Sequence, residues 1–149
     1  MTSEDAIRNL LFHYCELMDA GDIEGVAEMF GDGAIIGADG TQLAKGRDET
    51  LAMYRGGNRT ERTSGGRRSK HVNTNALVEV DEAADTAIAR SYWVLLVSTS
   101  TDEPVRAIMA GSYHDQFARA NGTWHFTERR YLVELVGSEA GALLGYSGS

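Results

Sequence analysis

Asp19 and His71, two polar residues 52 positions apart in the chain, have the side chains needed for acid–base chemistry. His71 stands in "SKHVNTN", between a basic Gly-rich segment and an apolar run. An imidazole free in water titrates near pH 6.5, so it can act as a base at physiological pH. A carboxylate that accepts from one ring nitrogen leaves the other nitrogen free to remove a proton, and it stabilises the imidazolium that results. Each residue also has an ordinary interpretation, His71 as a hydrogen-bonded strand-entrance residue and Asp19 as the start of a solvated turn.

The position of Asp19 raises a question about its partner. It falls in the last turn of the first predicted helix, where the helix dipole disfavours a negative charge by roughly 0.3–1 kcal/mol. A nearby cation would offset that cost, and a protonated His71 is one candidate.

Three helices are predicted in the first part of the chain. A capping-box pattern at Thr2 and Asp5 opens a run of apolar residues with helical spacing, which ends near Gly21. Asp22 can cap a short second helix. After a short strand in "GAIIG", the segment "GRDETLAMYRG" predicts a third helix from about Arg47.

The rest of the chain has the period of β-strands. Four long strands are predicted in "KHVNTNALVEV", "TAIARSYWVLLVS", "VRAIMAGSYHDQFAR" and "TWHFTERRYLVELV", and the Asn121-Gly122 pair predicts a tight hairpin between the last two. Helices that precede long antiparallel strands predict an α+β fold, with a strongly curved, mixed but mostly antiparallel sheet wrapped around three N-terminal helices. We expect one domain over residues 1–136 and a flexible C-terminal tail over 137–149.

Composition excludes several classes of function. A net charge of −8 argues against nucleic acid as a partner, although residues 55–70 hold six of the 14 Lys and Arg residues. We interpret that basic segment as a solvated loop rather than a phosphate site. The single Cys15 rules out an intramolecular disulfide and is interpreted as an inert core thiol. Histidine spacing predicts no metal site, and no nucleotide-binding fingerprint is found, so we expect no cofactor.

Hydropathy predicts no contact with a membrane. No apolar run approaches the ~18 residues of a membrane span, and the acidic N-terminus lacks the pattern of a signal peptide. We therefore expect a cytoplasmic protein.

The order of elements, together with "YCELMDAGDIEGVAEMF", "SKHVNTN" and "GSYHDQFARANGTWHFTERR", resembles the SnoaL-like branch of the nuclear transport factor 2-like superfamily over roughly residues 4–136. The resemblance implies a cone-shaped sheet closed on one side by the helices, with a deep apolar pocket between them. That superfamily contains dehydratases, isomerases, cyclases, hydrolases and binding proteins, so the resemblance specifies the fold more narrowly than the activity.

The lyase branch implies roles for particular residues. In scytalone dehydratase, bile-acid 7α-dehydratase and hexachlorocyclohexane dehydrochlorinase, an aspartate from the end of the first helix and a histidine from the strand after the third form a catalytic dyad. The matching positions here are Asp19 and His71. A tyrosine five residues before the aspartate, as in the bile-acid enzyme, corresponds to Tyr14. Its hydroxyl could polarise a substrate carbonyl or leaving group, and packing in the core is its minimum role.

Further residues are predicted to bind the substrate. The resemblance implies a pocket arginine on the last strand at Arg129 or Arg130, and the spacing from Trp124 favours Arg129. The two arginines point to opposite faces of the strand, so only one can reach the pocket. A cone pocket also needs lining residues, for which the aromatic and sulfur-containing candidates are Trp93, Tyr113 and Met109. Asn73 and Asn75 follow His71 with the same strand parity and are predicted to extend a polar track into the pocket.

The sequence also departs from the family pattern. Dehydratases of this branch carry a second acid or histidine on the strand after the catalytic histidine, whereas this chain has "YWVLLV" there. A dehydrochlorinase needs only the dyad, because halide departs without protonation.

From these observations we expect a cofactor-independent lyase or isomerase of dehydratase or dehydrochlorinase type. An Asp-His dyad would abstract a proton from a hydrophobic, cyclic small molecule. The alternatives are a non-catalytic binding protein with the same pocket and a small subunit of a ring-hydroxylating dioxygenase. A homo-oligomer, dimer or trimer, is expected because an apolar outer sheet face would need covering.

Overall fold

The computed structural model describes residues 1–56, 68–98 and 101–140, and most of the basic segment 55–70 lies outside these ranges. The described residues form three helices and six strands. In chain order these are α1 (Ser3–Ala20), α2 (Ile23–Met29), β1 (Ala34–Ile36), β2 (Gln42–Lys45), α3 (Gly46–Gly56), β3 (Arg68–Asp81), β4 (Thr86–Ser98), β5 (Arg106–Ala120) and β6 (Thr123–Val136). The predicted α+β fold with N-terminal helices and a curved, mostly antiparallel sheet is confirmed.

Local signals in the sequence account for the ends of the first two helices. The Thr2 hydroxyl accepts from the backbone N–H of Asp5 at 3.2 Å, as the capping-box pattern predicts. Gly21 ends α1 in the left-handed conformation with a φ of 74°, and its N–H donates to the carbonyls of Leu17 and Met18. Asp22 caps α2 by accepting from the N–H of Gly25. Because the two caps are the adjacent residues Gly21 and Asp22, the chain passes from α1 to α2 within two residues.

The sheet has the strand order β2-β1-β6-β5-β4-β3. The β1–β6 pair is parallel, and every other pairing between neighbours is antiparallel. The hairpin between β5 and β6 turns at Asn121 and Gly122, whose φ angles of 50° and 78° are those of the predicted tight turn. β2 was not predicted, because it has four residues, three of them exposed, and no β-branched side chain.

Helix α1 packs across β3 and β6 and supplies one wall of the interior. Its buried face consists of Ile7, Leu11, Tyr14, Cys15 and Met18. Burial of each large apolar side chain contributes about 1.5–3 kcal/mol before conformational entropy is counted. This packing places the C-terminal end of α1 beside the first residues of β3.

A bulge in β3 corrects one prediction. The pairing with β4 shifts between Thr74 and Leu77, and Asn75 has a φ of 39°. Such a bulge inserts an extra residue and reverses which face the following side chains occupy. Asn73 is half-buried, but Asn75 is exposed, so Asn75 does not extend the polar track into the interior as predicted.

The described part of the predicted tail packs against the domain. The N–H of Gly137 donates to the carbonyl of Ile108 at 2.7 Å, and Ala140 is fully buried. Arg106 forms an ion pair with Glu139 at 3.0 Å. Residues 137–140 therefore contact β5, and residues 141–149 lie outside the described part. No helix in the described ranges is long and apolar enough to cross a membrane.

Candidate functional site

Asp19 and His71 are in direct contact. The Nδ1 atom of His71 lies 2.7 Å from Oδ1 of Asp19, and the backbone N–H of His71 donates to both carboxylate oxygens at 3.0 and 3.1 Å. The two side chains are only 7% and 10% exposed. A carboxylate can only accept, so Nδ1 carries the proton in the neutral ring and Nε2 is left as the basic atom.

The geometry of this pair follows from two local features. Asp19 lies in the last turn of α1, two residues before the αL residue Gly21. His71 is the fourth residue of β3 and pairs with Leu95 of β4, which is buried. The alternation along β3 makes His71 and Asn73 half-buried and Val72 exposed. The carboxylate also gains a cationic partner whenever His71 is protonated, which offsets the unfavourable helix-end position.

Asn73 and Trp93 lie directly opposite each other on β3 and β4. The Asn73 Nδ2 group donates to the hydroxyl of Ser91 at 2.9 Å and to the carbonyl of Tyr92 at 2.8 Å. Trp93 is 6% exposed. Its indole lies across the partner residue Gly111, where an added Cβ would be only 2.8 Å from Trp93 Cζ2 and 1.8 Å from the carbonyl oxygen of Leu132. Glycine is therefore required at position 111 for the indole to occupy this place.

Arg129 is the arginine of β6 that faces the interior. It is 1% exposed, whereas Arg130 is half-buried and pairs in register with His114, which is exposed. The Nε and Nη2 atoms of Arg129 donate to the two carboxylate oxygens of Asp115, both at 2.8 Å. This fork leaves Nη1 buried with no hydrogen-bond partner among the described residues.

The electrostatics of the Arg129–Asp115 pair follow from its burial. Burial raises the pKa of Asp115, and the adjacent guanidinium opposes that rise. Burial alone would lower the pKa of Arg129, but the Asp115 carboxylate outweighs it and the pKa of Arg129 is raised. Arg129 therefore remains a cation, and Asp115 is its carboxylate partner.

Aromatic rings surround the Arg129 guanidinium. Its central carbon lies 3.7 Å from the ring centre of Tyr113, 4.3 Å from that of Tyr14 and 4.9 Å from that of Phe126. Tyr113 in turn stacks on Trp93, with ring centres 6.0 Å apart and an interplanar angle of 26°. Tyr113 thus contacts both Arg129 and Trp93, the β4 residue opposite Asn73.

The remaining predicted residues also lie in the interior. Tyr14 is 4% exposed, and its hydroxyl is 2.6 Å from the hydroxyl of Tyr54 on α3. Met109 is 8% exposed and pairs with Leu95, the β4 partner of His71. Three residues were not predicted as part of this interior: Asp115, Tyr54 and Ser91. Among these, Asp115 carried a usable signal, because it is an acidic residue with the parity of Tyr113 on a strand that alternates apolar and polar side chains.

Cys15 is a buried residue of α1. Burial raises the pKa of its thiol to about 11, and Arg129, Asp19 and Glu16 all act on it electrostatically. The interpretation of Cys15 as a protonated core thiol agrees with its 7% exposure.

The Cys15 thiol is expected to react slowly in the folded protein. A pKa of about 11 leaves it protonated at pH 8, so the thiolate population is about two orders of magnitude below that of an ordinary cysteine. The measurement is the rate of reaction with 5,5′-dithiobis(2-nitrobenzoic acid) at pH 8, with and without denaturant. Equal rates in the two conditions would contradict this description of the thiol.

Within the described ranges, no three or more His, Cys, Asp or Glu side chains are grouped so that they could hold a metal ion. The prediction of no metal and no cofactor remains an expectation.

Comparison with known proteins identifies relatives of the whole domain. The model of the SnoaL-like domain family matches residues 1–130. No curated protein matches the sequence. Among solved structures, the chain is similar to an NTF2-like protein with a cystatin-like fold from Novosphingobium aromaticivorans. The two are 25% identical, with 96% of this chain and 89% of that chain covered and a TM-score of 0.74.

Two further solved structures from Novosphingobium aromaticivorans show the same fold. One is a proposed scytalone dehydratase, 22% identical, with 89% of this chain and 84% of that chain covered and a TM-score of 0.68. The other is the β-subunit of a proposed aromatic-ring-hydroxylating dioxygenase, 18% identical, with 89% of both chains covered and a TM-score of 0.65. At these identities the likeness concerns the fold alone.

Proposed function

Because this chain belongs to the SnoaL-like domain family, we propose that it is a cofactor-independent lyase or isomerase. The proposed reaction removes a proton from a hydrophobic, cyclic small molecule. The substrate would occupy an interior pocket between α1 and the sheet. The observation that carries the proposal is the buried 2.7 Å contact between Asp19 and His71. A buried carboxylate that fixes the ring nitrogen of a histidine is the arrangement that proton abstraction requires.

Each residue of the candidate site has a separate role in the proposed reaction. Nε2 of His71 removes the proton, and Asp19 holds the ring and stabilises the imidazolium. The negative charge that develops on the substrate is stabilised by Arg129, whose Nη1 is unpartnered within the described part of the chain, and by the Tyr14 hydroxyl. Trp93, Tyr113 and Met109 supply apolar surface for a ring.

The residues of β4 bear on the type of reaction. The buried side chains of β4 include no carboxyl or imidazole group; they are Ala87, Ala89, Ser91, Trp93, Leu95 and Val97. This strand therefore supplies no carboxyl or imidazole acid to protonate a departing hydroxyl. Isomerisation, or elimination of a group that leaves without a proton, needs only the base and fits these residues better than dehydration does.

A substrate screen tests the proposal. Wild-type protein is incubated with cyclic ketones, cyclic hydroxyketones and chlorinated cyclohexanes, and the products are followed by NMR and mass spectrometry. Conversion of a member of the panel supports a lyase or isomerase. Recovery of every tightly bound compound unaltered would favour a non-catalytic binding protein that uses the same interior.

The outer face of the sheet supports assembly with a second copy of the chain. Tyr92 is 59% exposed and Leu77 58% exposed on adjacent strands, with Ile88 and Val72 nearby on the same face. Apolar groups on neighbouring strands form a patch of the kind that marks an interface. Arg90 and Glu79 on this face give it both signs of charge, as a self-complementary surface needs.

We expect a homo-oligomer that Tyr92→Glu dissociates, because the substitution would bury a carboxylate in the interface. Sedimentation velocity of both proteins measures this. A wild-type protein that sediments as a monomer at micromolar concentration would contradict the assembly.

A further inference from the structure

Two buried polar atoms on neighbouring strands have no hydrogen-bond partner in the described part of the chain: Oδ1 of Asn73 and Nε1 of Trp93. The two residues pair directly in register, and Asn73 shares its strand face with His71. An unpaired buried donor or acceptor costs about 1–3 kcal/mol, so such atoms are rare in folded proteins unless a ligand or water completes them. The position of Asn73 beside the candidate base suggests that the missing partner of its amide oxygen is the ligand.

The orientation of the Asn73 amide is fixed by its neighbours. The carbonyl of Tyr92 can only accept, so the group that lies 2.8 Å from it must be the NH₂ end of the amide. The second hydrogen of that NH₂ group is donated to the Ser91 hydroxyl. With both donors engaged on β4, the amide oxygen is held on the opposite side and can only accept.

We propose that Asn73 is a specificity-determining residue that selects ligands carrying a neutral hydroxyl or N–H donor, an inference that rests on the proposed proton abstraction at His71. An amide oxygen attracts such a donor and repels a carboxylate. A hydroxyl meets this requirement, because it donates its hydrogen to the amide oxygen.

The strand spacing sets where this group lies on the ligand. Asn73 is two residues from His71 on the same face, which places the two Cα atoms on the order of 7 Å apart. A fused bicyclic ring system spans a distance of that order. An acceptor cannot protonate a leaving group, so the hydroxyl held by Asn73 stays on the product.

The test compares two bicyclic probes, 6-hydroxy-1-tetralone and 6-methoxy-1-tetralone, which differ in that a methyl group replaces the hydroxyl hydrogen. Isothermal titration calorimetry gives the dissociation constant of each. The wild-type protein is expected to bind the hydroxy compound about tenfold more tightly, because the methoxy compound leaves the amide oxygen unpaired. Asn73→Leu, which keeps the side-chain volume, is expected to reduce the ratio to about one.

Two further variants make the result decisive. Asn73→Ala also removes the amide acceptor. It is used instead of Asn73→Leu if the leucine variant does not fold. His13→Ala, an exposed change on α1, is expected to keep the wild-type ratio. The inference is overturned if the wild type binds neither probe, if it does not distinguish them, or if the ratio persists in the Asn73 variants.

This outcome is separable from that of the proposed function. A wild-type protein that does not prefer the hydroxy probe but shows intact His71-dependent chemistry would overturn the role of Asn73 alone. A preference that depends on Asn73, in a protein without any His71-dependent chemistry, would instead leave a selective binding protein.

Discussion

His71→Ala is expected to lower kcat/KM by about 10²- to 10⁴-fold on any compound that the wild-type protein converts, because a positioned general base typically contributes that factor. The expected loss lies in kcat, since the ring acts on the proton in the transition state, while the apolar walls that bind the substrate stay in place. Steady-state kinetics on the best compound from the screen measures both constants.

Asp19→Asn is the matched test of the orienting group. The asparagine keeps the size of the side chain but can present its NH₂ group to Nδ1, which favours the wrong tautomer of His71. We expect a loss of similar order, and a double variant hardly worse than His71→Ala alone, because the two residues act as one unit. His13→Ala, which removes an exposed histidine from the same helix, serves as the control and should leave turnover unchanged. Wild-type turnover in both dyad variants would exclude the mechanism.

The second large effect concerns stability. Asp115→Ala is expected to lower the free energy of unfolding by about 3–5 kcal/mol, because it leaves the fully buried Arg129 guanidinium without its carboxylate. An arginine cannot lose its proton to escape that cost. Arg129→Met is expected to cost less, since the carboxyl left behind can become neutral.

The Arg129→Met variant should also show a distinctive pH dependence. Burial already raises the pKa of Asp115, and the substitution removes the guanidinium that opposes the rise. In the native state Asp115 then keeps a proton that it releases near pH 4 in the unfolded state. The free energy of unfolding therefore falls as the pH rises from about 4 through the pKa of Asp115 in the native state. Urea unfolding at pH 4, 6 and 8 measures this slope for the variant and the wild type.

A control and a contradicting result complete this prediction. Glu82→Ala breaks an exposed ion pair with Arg119 and should change stability little. A loss below about 1 kcal/mol for Asp115→Ala would show that the buried pair is not held as described.

Much of the fold could be predicted because its signals are local. The cap residues of α1 and α2, the Asn121-Gly122 turn and the alternation along β4 each depend on a few neighbouring residues, and the structure bears them out. β2 lacked such a signal because it is short and mostly exposed. The bulge at Asn75 was missed because strand alternation gives no sign of where an extra residue is inserted.

The candidate site was only partly predictable, since its contacts join distant parts of the chain. Asp19 and His71 could be matched through the family resemblance, and their contact depends on how α1 crosses β3. The Arg129–Asp115 fork and the Tyr14–Tyr54 pair arise from strand register and helix packing, which no single segment encodes. The amide orientation of Asn73 depends in the same way on the backbone of β4.

Proton abstraction at His71 is tested most directly by solvent exchange. Wild-type protein, His71→Ala and Asp19→Asn are each incubated in D₂O with 1-tetralone, and deuterium at the carbon next to the carbonyl is followed by NMR and mass spectrometry. The wild-type protein is predicted to accelerate incorporation, and both variants to return it towards the rate without protein. Incorporation at the wild-type rate in both variants would contradict the claim that His71, held by Asp19, is the base.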